Sequence, residues 1–285
     1  MAEAEPKIRV TEEQIEFFCR EGFLAIERIT SDAEVERLRA TYDELFARRA
    51  GREEGRQYDL AGTDEEDSVA TLPQILEPRQ YAAQLRNTLY EANGLAIAGQ
   101  LLGGLAETLQ DRVLSSEVVD FGLHAILKPA GIGSETPWHQ DEAYWDPAKY
   151  FHGLSVWMPL QEVTEENGCM CFIPGTHTGE VMSHHHAGDD PRIEALVVDD
   201  GHIDISKAVV CPIPAGGATF HFCRTFHYTG PNRSVVPRRA LALTCGLPQS
   251  TREVPRDFYW QGEKRTNAGK RREEAARRLT ESEKS

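Results

Sequence analysis

Near residue 112 the spacing of apolar residues changes period, and this switch most limits the architectures open to the chain. Before it the pattern is helical. Thr11 with Gln14, and Ser31 with Glu34, each fit a capping box, in which paired side chains satisfy free amides at a helix start. After Ser31 the apolar positions Val35, Leu38, Tyr42 and Leu45 lie on one helical face. "GFLAIERI" between the two reads as a short strand. A third helical stretch is expected over about 79–103, broken near Asn93-Gly94 and stopped by Gly103-Gly104. The Gly-rich polar run "AGREEGRQYDLAGTDEEDS" reads as a loop.

Beyond the switch, "RVLSSEVVDFGLHAILKP", "GLSVWMPLQEV", "CMCFIP", "AVVCPIP", "GATFHF" and "RALALTCGL" are short, rich in β-branched or aromatic residues, and punctuated by Gly, Pro and Asn. Asn167-Gly168 between two such runs suits a type I′ hairpin turn. Many short strands with turn signals imply a sandwich or barrel, not a doubly wound α/β sheet. The expected division is a helical region, 1–111, packed on a β core, 112–261. That core carries a polar insertion at about 175–207, long enough to serve as a lid or binding segment. The last stretch, 262–285, is charged and nearly free of large apolar groups, and reads as a frayed helix or disordered tail.

A net charge of -15 disfavours nucleic acid and anionic membrane as partners. The first residues lack a signal-type apolar segment and no run of eighteen apolar residues occurs, so a cytoplasmic location is expected. The six cysteines are scattered; Cys169 and Cys171 form a C-x-C, a poor zinc signature, and read as buried strand residues. Nothing in the pattern sets an oligomeric state.

The chemistry concentrates in "PWHQDEAYW", residues 137–145. On an extended segment, residues i and i+2 point the same way. His139 and Asp141 can therefore offer one imidazole nitrogen and one carboxylate oxygen to the same point. His227, between "GATFHFCRTF" and a turn, is the leading third ligand. His221 competes, because even spacing leaves parity unable to separate the two. The run His184-His185-His186 falls in the long insertion, where a primary metal role is disfavoured. Gln140, His152 and His177 read as structural, and His202 as an exposed loop residue. Two His and one carboxylate on one face of a metal leave three positions open, as in non-haem Fe(II) oxygenases. Such iron needs electrons, which a 2-oxo acid supplies by decarboxylating. The far carboxylate of that cosubstrate needs a cation, preferably Arg. Arg238, eleven residues after His227, is a candidate, and a solvated strand end is an equal reading from spacing alone.

"WHQDEAYW", "VWMPLQEVTEENGCMCFIPGTHTG" and "FHYTGPNRSVVPRRAL" together resemble the phytanoyl-CoA dioxygenase family of Fe(II)/2-oxoglutarate oxygenases, over roughly residues 12–247. The resemblance implies a mainly β protein with N-terminal helices, a double-stranded β-helix (a cupin-like jelly roll). It implies iron ligands at His139, Asp141 and His227, and a salt bridge from Arg238 to 2-oxoglutarate. It further implies Thr229, Trp157 and His124 as residues lining the cosubstrate pocket. Retention of Asp141 disfavours halogenation. The expected partners are 2-oxoglutarate, O2 and a small metabolite or natural product, oxidised at an unactivated C–H bond with release of succinate and CO2. Tyr144, Trp145, Tyr150 and Phe151 are expected around that substrate, or in the core. Two alternatives stand beside this enzyme: a cupin-like metalloenzyme that uses no keto acid, and a non-catalytic ligand-binding member of the fold.

Overall fold

A computed structural model describes residues 8–109 and 117–282. The boundary expected at 111/112 lies outside the described residues. The first part contains α1 (Glu12–Glu21), β1 (Phe23–Ile26), α2 (Asp32–Ala47), β2 (Gln57–Asp59), β3 (Pro73–Leu76) and α3 (Leu89–Leu109). Thr11 caps α1 with the full reciprocal box. At α2 only half the box forms. Ser31 accepts the Glu34 amide, but the Glu34 carboxylate instead takes the backbone amides of Leu89 and Tyr90 at the start of α3. One side chain thus ties two helix starts together.

The third helix departs from expectation at both ends. Residues before it form short 3₁₀ turns (Pro78–Gln80, Ala83–Leu85), and α3 runs unbroken through both glycine sites. The glycines serve packing instead. A Cβ at Gly94 would sit 3.5 Å from Val156 and Leu243, and one at Gly104 would lie 2.4 Å from Ile15 of α1. Asn93 donates its side-chain amide to the Ile29 carbonyl at 2.7 Å. The expected loop around residue 58 contains β2, which joins a sheet edge through β3.

The rest is β4 (Val119–Lys128), β5 (Thr136–His139), β6 (Lys149–Tyr150), β7 (Gly153–Pro159), β8 (Met170–Phe172), β9 (His184–His186), β10 (Leu196–Val198), β11 (Val209–Cys211), β12 (Ala218–Phe222), β13 (His227–Thr229), β14 (Arg238–Gly246) and β15 (Ser250–Thr251). These are followed by α4 (Tyr259–Glu263) and α5 (Asn267–Ser282). A major sheet has the order β1-β12-β7-β14-β4-β3-β2, and a minor sheet the order β11-β8-β13-β5. All pairings are antiparallel. This is the expected jelly roll with flanking helices, except that the N-terminal region supplies three strands of the major sheet. The Asn167-Gly168 site is no hairpin, since β7 and β8 lie in different sheets. Only Gly168 takes a positive φ, 85°. Asn167 closes the crossing loop through the Thr164 amide and the Glu162 carbonyl.

Strand alternation sorts the major sheet into two faces. Leu154, Val156 and Met158 of β7, Phe220 and Phe222 of β12, and Leu241, Leu243 and Cys245 of β14 join the core under the helices. The intervening residues, including Ser155, Trp157, His221, Ala242 and Thr244, face the space between the sheets. Cys169 is buried in a smaller core there, and all six cysteines are free.

Of the two readings of the C-terminal segment, the helix is the one that forms, and it is docked rather than frayed. Helix α5 docks through Ala268, which is fully buried against Tyr58, Leu60 and Leu72. Arg271 reaches buried Asp64, and Arg272 reaches buried Glu194. Ion pairs and one alanine hold it, so a count of large apolar residues misses it.

Candidate active site

His139 and His227 are direct cross-strand neighbours on β5 and β13, with ring centroids 4.1 Å apart. In each, Nδ1 faces the carbonyl two residues earlier: Pro137 O at 2.7 Å and Thr225 O at 2.9 Å. A ring that donates through Nδ1 keeps its Nε2 lone pair free, the state a metal requires. Asp141 follows across an extended Gln140 (φ -117°, ψ 131°), at the start of a 3₁₀ turn. Its Oδ1 lies 3.6 Å from His139 Nε2 and 3.4 Å from His227 Nε2. Donors about 2.1 Å from one ion and at right angles stand roughly 3 Å apart, so these three fit a shared ion. Their donor atoms all lie within 4.8 Å of one another, the one such group among the described residues.

The other carboxylate oxygen is occupied. Ser155 Oγ donates to Asp141 Oδ2 at 2.6 Å, and His221 Nε2 lies 3.1 Å from the same atom. Ser155 and His221 are themselves a cross-strand pair on β7 and β12. The minor sheet therefore supplies two imidazoles, and the major sheet clamps the carboxylate between them. Burial alone would raise the Asp141 carboxyl, but the surrounding imidazoles of His227, His139 and His221 hold it well below the usual carboxylate range. Burial, with the His227 ring beside it, lowers His139. Behind this turn Glu142 is buried against Arg256 (2.7 Å) and Arg224 (3.5 Å), and its amide donates to the Cys223 carbonyl.

The triad opens into a cavity of about 450 Å³, which Arg238, Thr229, Trp157 and His124 also line. Arg238 is 1% exposed. Its Nη1 has only a long contact to Ile126 O, 3.5 Å, and its Nε has no partner among the described residues. Its guanidinium carbon sits 5.4 Å from the centre of the Trp157 ring. Burial pulls its pKa down to about 10. An unpaired buried guanidinium costs several kcal/mol, on the order expected for a charge taken from water. Such a group awaits an anion, and a carboxylate matches its fork. Lys128, also buried, is by contrast satisfied: it donates to Thr229 O (3.0 Å) and Gly230 O (2.5 Å). A depression of about 550 Å³ elsewhere, at Glu77, Arg79, Glu91 and Asp120, is a cluster of Arg79 ion pairs.

His139, Asp141, His227, Arg238, Thr229, Trp157 and His124 all line one cavity. His221 does not join the donor group. The turn before His227 carries the chain from the major to the minor sheet, which separates two histidines that parity could not. Tyr144, Trp145 and Phe151 line the cavity, whereas Tyr150 is exposed outside it beneath Arg252. The insertion at about 175–207 is tied down: Gln140 accepts the Met182 amide and donates to the Glu180 and Arg224 carbonyls, and the Ala195 amide donates to Leu60 O. Sequence reading missed Ser155, whose only signal is a small polar residue at inward parity in an apolar strand. It also missed Glu194, Lys264 and Arg272, which line the cavity from segments with no motif.

The fold and the relatives define the class, a non-haem iron oxygenase dependent on 2-oxoglutarate, and the His/Asp/His donors fit its iron. The chain belongs to the phytanoyl-CoA dioxygenase family, whose model matches residues 18–240. It is similar to the crystal structure of EvdO2 from Micromonospora carbonacea var. aurantiaca (39% identity, 90% of this chain and 99% of that one, TM-score 0.74). It is also similar to EvdO2 complexed with 2-oxoglutarate (35% identity, 91% and 99%, TM-score 0.72). Ectoine dioxygenase of Bordetella bronchiseptica is 25% identical over 86% of this chain and 78% of its own length. A probable alpha-ketoglutarate-dependent hypophosphite dioxygenase of Stutzerimonas stutzeri is 33% identical over 48% of this chain and 52% of that relative. No helix among the described residues is long and apolar enough to cross a membrane.

Proposed function

We propose that His139, Asp141 and His227 hold Fe(II), that Arg238 grips the far carboxylate of 2-oxoglutarate, and that the chain oxidises an unactivated C–H bond of a small metabolite or natural product. The observation that carries this is the buried, unpaired Arg238 in the same cavity as the triad. A cupin-like metalloenzyme without a keto acid has no use for it. Bound iron with 2-oxoglutarate supplies the oxidant, with release of succinate and CO2.

The chain's own residues do the rest. The Nδ1 contacts fix both imidazoles so that Nε2 points at the ion. Ser155 and His221 occupy Oδ2 and leave Oδ1 as the atom that would hold the metal. Trp157, Thr229 and His124 shape the cosubstrate end, with Trp157 covering the Arg238 face. Tyr144, Trp145 and Phe151 exclude water and hold the reacting carbon. The relatives named for ectoine and hypophosphite support a small substrate.

The test is conversion of 2-oxoglutarate to succinate by the Fe(II)-loaded protein. Turnover is expected in the wild type and its loss in Arg238→Ala. An Arg238→Ala variant with unchanged 2-oxoglutarate affinity and turnover would contradict the assignment.

A further inference from the structure

The cavity does not end at the iron site. Its floor is the inner face of the major sheet, and it continues from Ser155 and Arg238, across β4 and β3, to Tyr58 on β2. From β14 to β2 is three strand intervals, roughly 14 Å along the sheet. At that far edge stand Glu194, Lys264 and Arg272, with Gln249 also lining the cavity.

Glu194 is 5% exposed and belongs to the insertion just before β10. Its Oε2 meets Lys264 Nζ. Its Oε1 accepts from Thr266 Oγ1 at 2.7 Å and from Arg272 Nη2 at 3.4 Å. Arg272 is further fixed by the Gly55 carbonyl at 3.0 Å and by the Tyr58 ring, 5.2 Å from its guanidinium carbon. The nearby Asp64 carboxylate is already taken by Arg52 and Arg271.

Two cations therefore share one buried carboxylate, leaving a net positive charge at the cavity wall. Glu194 uses one edge of Arg272 and one proton of Lys264. Both residues line the cavity, in a chain whose overall charge is -15. A cavity wall with a surplus cation favours an anion.

We infer that Lys264 and Arg272, held by Glu194, recognise an anionic group of the substrate, a carboxylate or phosphate, remote from the carbon that is oxidised. This rests on the oxygenase reading above and deepens it by naming a substrate class: elongated molecules with an acidic end. Binding energy from that remote end positions the reacting carbon. It also gives the C-terminal segment, residues 262–282, a place in the active site.

The test uses the full chain loaded with Mn(II) and 2-oxoglutarate, and two probes: inorganic phosphate followed by phosphorus NMR, and carboxyl-labelled acetate followed by carbon NMR. Paramagnetic relaxation then reports distance from the metal. The expected result is saturable binding of at least one probe clear of the metal's ligands and no farther from the ion than roughly 19 Å, the four strand intervals from β7 to β2. Which probe binds assigns the phosphate or the carboxylate source. In Lys264→Met/Arg272→Met, probe affinity should fall at least about tenfold, with 2-oxoglutarate affinity unchanged. The charge-keeping pair Lys264→Arg/Arg272→Lys should retain the probe. The inference is overturned if neither probe saturates, if the methionine pair binds as well as wild type, if the charge-keeping pair loses the probe, or if relaxation places the probe on the metal. Failure of Mn(II) and 2-oxoglutarate to bind at all would instead strike the oxygenase reading and take this inference with it.

Discussion

Two groups of histidines lie close together in this protein, and their ring nitrogens face different things. His139 and His227 each spend Nδ1 on a backbone carbonyl and leave Nε2 free beside a shared carboxylate oxygen. In the triplet on β9, neighbours alternate sides and their nitrogens are taken up separately. His184 has Nδ1 on Met182 O and Nε2 facing the Gln140 amide. His185 meets Asp199, and His186 has carbonyls of Ile193 and Trp260 at its two nitrogens. The triplet is richer in histidine but poorer as a metal site. Convergence of free lone pairs on one point, supplied by two strands of one sheet, matters more than local density. The triplet fastens the insertion to its neighbours through Gln140, Asp199 and Trp260.

The sharpest way to break this contrast is to remove one histidine from each group. His227→Ala should weaken Co(II) or Fe(II) binding by on the order of a thousandfold, since one of three ligands is gone. His185→Ala should change it less than about twofold, because its ring faces Asp199 away from the ion. Anaerobic metal titration measures both, and equal losses would erase the distinction. Next in size, Arg238→Ala should weaken 2-oxoglutarate about a hundredfold, roughly 3 kcal/mol for a charge-assisted bidentate pair. Metal affinity should hold, as calorimetric titration would show.

The third prediction concerns pH. Burial holds His184 neutral, with a pKa lowered to about 4 from 6.5. The unfolded chain takes up that proton first, so stability should fall as pH drops from about 6.5 toward 4 and then level off. The loss is up to about 3 kcal/mol from this residue. Urea denaturation of the metal-free protein across that window reads it, and His184→Asn should flatten the slope. A smaller effect should come from the clamp. Ser155→Ala should cost about tenfold in metal affinity by freeing Asp141 Oδ2, as outer hydrogen-bond partners of metal ligands do. Ser155→Thr, which keeps the hydroxyl, should restore most of it.

Much of the active end was legible because its signals are local. H-x-D needs only an extended Gln140 to place two donors together, and the change of period announced the sheets. The rest depends on contacts distant in sequence. Spacing alone could not separate His221 from His227; the family resemblance pointed to His227, and the turn between them, which changes sheets, supplies the physical reason. The glycines of α3 looked like stops, but they admit Ile15 and Val156 at close range. The C-terminal helix looked unanchored because its anchors, Asp64 and Glu194, lie 207 and 78 residues away in sequence from the arginines they bind. Ser155 carried no signal beyond its parity.

The central claim is that the triad holds one ferrous ion with room for a chelating keto acid. Anaerobic addition of Fe(II) and 2-oxoglutarate, followed by visible absorption, tests it most directly, because a keto acid chelated to Fe(II) gives a charge-transfer band. The band should rise to one iron per chain in the wild type and in His185→Ala, and be absent in His227→Ala. A band that survives in His227→Ala, or never forms in the wild type, would contradict it.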